Sequence, residues 1–398
     1  MRIVFYSSNS NIFDEKNFII SVFPKNTTTF KNFRLVHPEH EFFCVTQKPA
    51  MFMPEESSPN VFYLPQDAST QDFADSIQKL KPELAIAMTF WIEPYDWLPV
   101  SDSLIAQKLN ESGIKTICHS TECGLNCFDK WRTHNELNRL GFDVPRAVFC
   151  DHDLYFCAGS NKDVIRNVYK ESVLAELKKL KLPLIIKDTT GLSSYGTTVV
   201  NTYGEAAGYL NSKRNNSNRL IEEYINGQQY GLEIYGVPGF YQVLPPFKMS
   251  INQYGITSPK QSIKCGPCKL PESLNAMMLE LAEKMKFYGV VQVDLILDEK
   301  NNWHIIEINP RLSGMSYTYA AACSLSVFEM LYRSCVQKVL LPECKGLIMS
   351  LKLPLMNQQE LLEISSIKGV KLLNQTNNLA AKQEREKGFC ECIIAYQQ

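Results

Sequence analysis

The chain has 398 residues, 41 Lys+Arg against 42 Asp+Glu, a formal net charge of -1 and 45% hydrophobic residues. This length accommodates two or three domains with substantial cores, and the balanced charge excludes a sequence-wide attraction to nucleic acid or anionic lipid. Thirteen cysteines, an odd number scattered through a large chain, suit reduced thiols in a cytoplasm better than a disulfide framework.

The N-terminal "MRIVFYSS" lacks the apolar core and cleavage site of a secretory signal and reads as a first strand. Residues 1–118 alternate short apolar runs ("RIVFY", "EFFCVT", "NVFYL", "LAIAM", "KTICH") with helix-compatible segments, which predicts an α/β domain with a largely parallel sheet. The longest apolar run, "LAIAMTFWI" (84–92), stops at Glu93-Pro94 and is too short for a bilayer, so no membrane span is expected. Cys118, His119, Cys123 and Cys127 lack a matching second half and read as core residues rather than zinc ligands. In "FDKWRTHNELNRLGF" (128–142), Asp129 is placed to cap a helix and Gly141 to end it.

"LPLIIKDTTGLSSYGTTVV" (182–200) reads as strand, small-residue loop and strand. The usual phosphate cradles are missing: there is no GxG, and "GLSSYGTT" has Thr197 where a Walker lysine belongs. Lys187 ends the apolar strand just upstream. With the loop of Gly191, Ser193, Ser194 and Gly196 it offers a fixed positive charge and open backbone N–H groups to a triphosphate; the bland alternative is a solvated lysine at a strand end. "RLIEEYI" (219–225) is another strand, and "GQQYGLEIYG" (227–236) is read as continuing it. Within it, Glu233 either faces a substrate or is a structural strand glutamate. The stretch "PPFKMSINQYGITSPKQSIKCG" (245–266) presents Lys248 and Lys264, which either meet an acidic substrate or are solvated. "CGPC" (265–268) spells a redox pair but sits in a Lys/Pro/Gly-rich loop rather than opening a helix.

"VVQVDLIL" and "HIIEIN" flank the turn-forming "DEKNNW" and predict an antiparallel hairpin. A turn centred between Lys300 and Asn301 sets Asp294 opposite Glu307 and Gln292 opposite Asn309, with Cβ atoms about 5 Å apart. Two carboxylates that close repel unless a cation lies between them. Oxygen donors from Asp294, Glu307 and Asn309 are what magnesium accepts, and Arg311, next in the alternation, could grip a phosphoryl or carboxylate group. The alternative is a solvated edge hairpin with Arg311 neutralising the acids. His304 points to the other face and reads as structural. From about residue 346 the tail looks like a small α/β appendage ending in "FCECIIAY".

Taken in order, "LPLIIK", the Gly/Ser loop, "LIEEYI", "DLIL" and "IEINPRLSG" resemble the ATP-grasp superfamily, of carboxylate–amine ligase type, over roughly residues 119–345. The resemblance implies an N-terminal α/β pre-ATP-grasp domain (1–118), a two-lobed α+β ATP-grasp domain (119–345) and a small C-terminal α/β subdomain (346–398). It implies ATP and magnesium as cofactors. Lys187 would contact phosphate and Lys130 would be a second lysine on the nucleotide, Glu223 and Ile225 would read adenine through their main chain with Glu222 nearby, and Asp294, Glu307 and Asn309 would hold magnesium. Arg311, with backbone N–H groups near Ser313 and Gly314, would stabilise the transferring phosphate and the acyl intermediate. One departure is Gln229, which stands where the family usually has a ribose-binding glutamate. The implied reaction joins a small-molecule carboxylate to an amine through an acyl phosphate, releasing ADP and phosphate, on an amino acid or small peptide by family frequency. Within the superfamily the alternatives are loading of a carrier-protein thiol or activation of bicarbonate; outside catalysis, a nucleotide-binding scaffold. The resemblance is compatible with a homodimer and a cytoplasmic location, without nucleic-acid or membrane partners.

Overall fold

The computed structural model describes residues 1–8, 18–21, 26–47, 59–65, 67–88, 98–158, 164–190, 197–251, 262–377 and 388–396. Three sheets organise these residues. The first is parallel throughout, in the order Val61–Leu64, Glu41–Gln47, Arg2–Tyr6, Leu84–Ala87, Lys115–Ile117. Its middle strand is apolar from Ile3 to Tyr6 because both faces are covered. Ile3 and Phe5 pack with Phe30, Phe33 and Phe328, while Val4 and Tyr6 pack with Phe73, Ile77, Ile105 and Leu109. Phe328 comes from a helix far along the chain, Val327–Leu331, so this α/β unit shares its core with later elements. Polar contacts to Glu329 mark the same seam: His37 Nε2 lies 2.6 Å from Glu329 Oε2, and Arg333 Nε donates to Glu329 Oε1 at 2.5 Å.

The second sheet is antiparallel, ordered Ala147–Cys150, Arg219–Glu223, Leu184–Asp188, Thr198–Val200. Helices Val168–Leu177 and Tyr203–Leu210 cover it, burying Val173, Leu177, Tyr209 and Leu210 against Leu184, Ile186 and Ile221. The third sheet holds Trp303–Asn309, Gly289–Asp298, Gly227–Val237, Phe247–Met249 and Ser262–Gly266, then Leu347–Leu353, Gly388–Tyr396, Val370–Asn377 and Phe18–Ser21, with Phe240–Val243 paired off this path. The tail thus extends the sheet of the acidic hairpin. Its strands pair antiparallel, and helix Gln358–Ser365 lays Leu361 over Leu373, Cys390 and Cys392.

The structure corrects one reading here. Residues 219–225 and 227–236 do not form one strand: Arg219–Glu223 belongs to the second sheet and Gly227–Val237 to the third. Tyr224 N–H still bonds Pro183 O on the second sheet at 3.0 Å, and three residues later Gly227 pairs with Asp298. At Gly227 a Cβ would run into the backbone of Leu297, so only glycine fits where the chain changes sheets. No helix among the described residues is long and apolar enough to cross a membrane.

Candidate functional site

The hairpin Gly289–Asp298/Trp303–Asn309 sets Asp294 opposite Glu307 and Gln292 opposite Asn309, as its spacing predicts. The route differs from the one expected. Leu297 pairs with Trp303, which centres the turn on Lys300, and a bulge opposite Asp294/Leu295 leaves Ile306 unpaired and restores the register at the acids. Asp298 shapes the turn by accepting from the N–H groups of Lys300 and Asn302 at 2.9 and 2.8 Å. It also meets His304 Nε2 at 3.1 Å; His304 pairs with Ile296, so the bulge at Ile306 turns it to the face of Asp294 and Glu307 rather than to the opposite face that strict alternation predicts.

Across the neighbouring strand Gly227–Val237 two rows of residues form: Gly231, Asp294, Glu307 and, beside it, Glu233, Gln292, Asn309. Directly paired residues share a sheet face, so both rows look the same way. A polar relay runs along them: Arg311 Nη2 donates to Asn309 Oδ1 (3.0 Å), Asn309 Nδ2 to Gln292 Oε1 (2.8 Å), and Gln292 Nε2 to Asp294 Oδ1 (2.5 Å). Burial, reinforced by the Glu307 carboxylate, pushes Asp294 up to about 7, against the opposing pull of Lys264, Gln292 and Arg311. Gly231 makes room for the side chains of Met249 and Met315, with which a Cβ there would collide while standing 3.3 Å from Asp294 Oδ1.

Two lysines belong to the other sheet and its flanking helix, and of these Lys130 contacts the hairpin. Lys130 opens helix Lys130–Arg139, capped by Asp129 accepting from Arg132 N–H at 2.9 Å. Its own N–H bonds Thr189 O at 2.7 Å, just past the strand carrying Lys187, and its Nζ reaches Glu307 Oε1 at 3.4 Å. Lys187 is not solvated: its side chain is 12% exposed and its Nζ donates to Glu222 Oε2 at 2.5 Å. Burial alone would push Glu222 up, but Lys187 and His134, whose Nδ1 is 3.5 Å away, hold it down at about 2. Glu223 N–H donates to Arg146 O at 3.0 Å, and Ile225 lies half-buried at the crossing between sheets. Gln229 follows two residues after Gly227, on the face shared by Gly231 and Glu233. Gly191, Ser193 and Ser194 lie outside the described residues.

The turn after Arg311 differs from expectation. The Ser313 N–H donates to Ser316 Oγ at 2.9 Å, so it is not open to an oxyanion, whereas the Gly314 N–H makes no hydrogen bond among the described residues. Glu233 is fully buried rather than facing a substrate. It accepts from Ser313 Oγ (2.9 Å), Ser316 Oγ (2.6 Å) and Tyr235 Oη (2.9 Å), and burial raises it to about 7 against those bonds and the field of Lys264. Lys264 and Lys248 do not converge. Lys264 pairs with Met249 and Lys248 with Cys265, which sends them to opposite faces. Lys264 Nζ holds Gly314 O at 3.0 Å, while Lys248 is exposed.

Sequence reasoning missed His134 and Ser316, whose partners are distant in the chain, and Tyr235, whose hydroxyl bonds Glu233 two residues away; no local motif marks them. No three His, Cys, Asp or Glu side chains converge as a metal site among the described residues. His119 instead meets Val290 O and Tyr288 N–H at 3.2 Å each. Two carboxylates plus an amide oxygen suit magnesium, which keeps positions for water and phosphate.

A family model described as ATP-grasp domain matches residues 127–315. A D-alanine–D-alanine ligase of Buchnera aphidicola subsp. Schizaphis graminum is 29% identical over 211 residues, covering 50% of this chain and 64% of that protein. The chain therefore spans under two thirds of that relative's length. Among solved structures, an N5-carboxyaminoimidazole ribonucleotide synthetase in its ADP complex superposes with a TM-score of 0.66 at 14% identity, covering 100% of this chain and 93% of the other. An L-amino acid ligase from Bacillus licheniformis gives 0.65 at 15% identity, covering 99% and 93%. At these identities the structural matches establish the fold.

Proposed function

With an ATP-grasp domain over residues 127–315 as the starting point, we propose that the protein is an ATP-dependent carboxylate–amine ligase that works through an acyl phosphate and releases ADP and phosphate. The observation that carries this reading is the paired Asp294 and Glu307, met at 3.4 Å by Lys130 and linked through Asn309 and Gln292 to Arg311. A hairpin built for stability alone gains nothing from two acids opposed on a half-buried face.

In this reading, magnesium held by Asp294, Glu307 and Asn309 supplies charge neutralisation at the phosphates. Lys187 and Lys130 bind the triphosphate as fixed point charges, and the main chain of Glu223 and Ile225 reads adenine where the chain crosses between sheets. Gln229 can hydrogen-bond a ribose hydroxyl through its amide. A substrate carboxylate oxygen attacks the γ-phosphorus and ADP departs. An amine then attacks the acyl carbon, loses its proton and expels phosphate. Arg311 and the Gly314 N–H face the oxyanion that forms in that step, while Glu233 positions their turn.

The likeness to ligases supports small-molecule carboxylate and amine substrates, and thirteen free thiols support a reducing, cytoplasmic setting. Residues 1–118, 119–345 and 346–398 are the proposed units. The test is incubation with ATP, magnesium and pooled amino acids and short peptides: ADP with a condensed mass is expected, and AMP in place of ADP would refute the acyl-phosphate route.

A further inference from the structure

"CGPC" is the cysteine pair that stands out in the sequence, yet the fold does not join its sulfurs: Cys268 Sγ turns 3.8 Å onto the Cys265 carbonyl oxygen. The fold brings together a different pair. Cys323 Sγ, at the end of helix Ser316–Cys323, lies 3.6 Å from Cys344 Sγ, twenty-one residues along in the segment before strand Leu347–Leu353.

We propose that Cys323 and Cys344 form a reversible oxidation site, closed to a disulfide by hydrogen peroxide. The backbones are already in register for it, since Lys345 N–H bonds Ala322 O at 3.4 Å beside the pair. Closure needs the sulfurs to move from 3.6 Å to about 2.05 Å, within reach of side-chain rotation and a small backbone adjustment. The two thiols are unequal. Cys323 is buried, and its hydrogen-bonding contact with Cys344 raises Cys323 and holds Cys344 below an ordinary thiol. Cys344 is partly exposed, so the more nucleophilic sulfur is also the one an oxidant meets first.

The chemistry balances in two steps. The Cys344 thiolate attacks one peroxide oxygen and the O–O bond breaks, giving a sulfenic acid and hydroxide. The Cys323 sulfur then attacks the Cys344 sulfur, the S–O bond breaks, and the Cys323 proton leaves with the hydroxyl as water. Two thiols are oxidised by two electrons and one peroxide is reduced. The bond would tie down the far end of the helix whose first residue, Ser316, holds Glu233 at 2.6 Å.

The test treats the full chain with limiting hydrogen peroxide, alkylates remaining thiols and maps peptides by mass. The expected result is a Cys323–Cys344 cross-link forming before any other among the thirteen cysteines, reversed by dithiothreitol and accompanied by a raised unfolding midpoint. In Cys323→Ala, Cys344 should stall as a sulfenic acid trapped by dimedone. A first cross-link at Cys265–Cys268 or Cys123–Cys127, or Cys344 still alkylated after peroxide, overturns the proposal. The wild-type map needs no variant to fold and no ligase activity, so it stands apart from the functional reading.

Discussion

Lys187 and Glu222 lie diagonally across paired strands with Nζ and Oε2 2.5 Å apart, an ion pair whose carboxylate is also met by His134. Glu222→Gln removes one partner from a buried pair and should cost about 3–5 kcal/mol. Because Lys187 and His134 hold Glu222 down at about 2, below its ordinary 4.5, its contribution is present above pH 4.5 and lost as pH falls through 2. Unfolding midpoints measured against pH should therefore show the gap between wild type and Glu222→Gln closing over that acid window. A gap constant down to pH 2 contradicts the pairing.

Asp294→Asn should separate stability from activity. It removes one of two opposed carboxylates while leaving an oxygen to accept from Gln292, so the ligand-free fold gains up to about 1 kcal/mol. Magnesium-dependent ADP formation should be abolished. A destabilised variant that still releases ADP would overturn both halves of this expectation.

Arg311→Lys keeps the charge but loses the planar fork that bonds Asn309 Oδ1 and Leu312 O. We expect kcat to fall roughly 10²–10³-fold with the KM for ATP little changed. A loss confined to KM would instead make Arg311 a ground-state binder.

Glu233→Ala should strand the hydroxyls of Ser313, Ser316 and Tyr235, costing about 3 kcal/mol or more, with Glu233→Gln restoring most of it. Burial raises Glu233 to about 7, so the folded state takes up its proton more readily than the unfolded chain. Wild type should then lose stability relative to Glu233→Gln as pH rises from 4.5 to 7 and level off above it. Urea titrations at several pH values decide the sign.

The strands and helices that could be read in advance are those whose own residues carry the signal. Asp129 as a helix cap, Gly141 as its stop and the run from Ile3 to Tyr6 need no distant partner to be recognised. The acidic register was legible too, though it rests on a bulge at Ile306 that offsets the shifted turn. The break between Glu223 and Gly227 was not, because both stretches have strand character and only their pairing partners assign them to different sheets.

Alone, the order of residue types determined that two acids, an amide and a guanidinium alternate along one hairpin face, since side chains in a strand repeat every second residue. Only the tertiary structure decided that Lys187 rests on Glu222, that Glu233 is an interior anchor, and that Cys323 meets Cys344. Those relationships join residues 21 to 80 positions apart, where chain order carries no distance and packing alone sets which polar atoms must find one another.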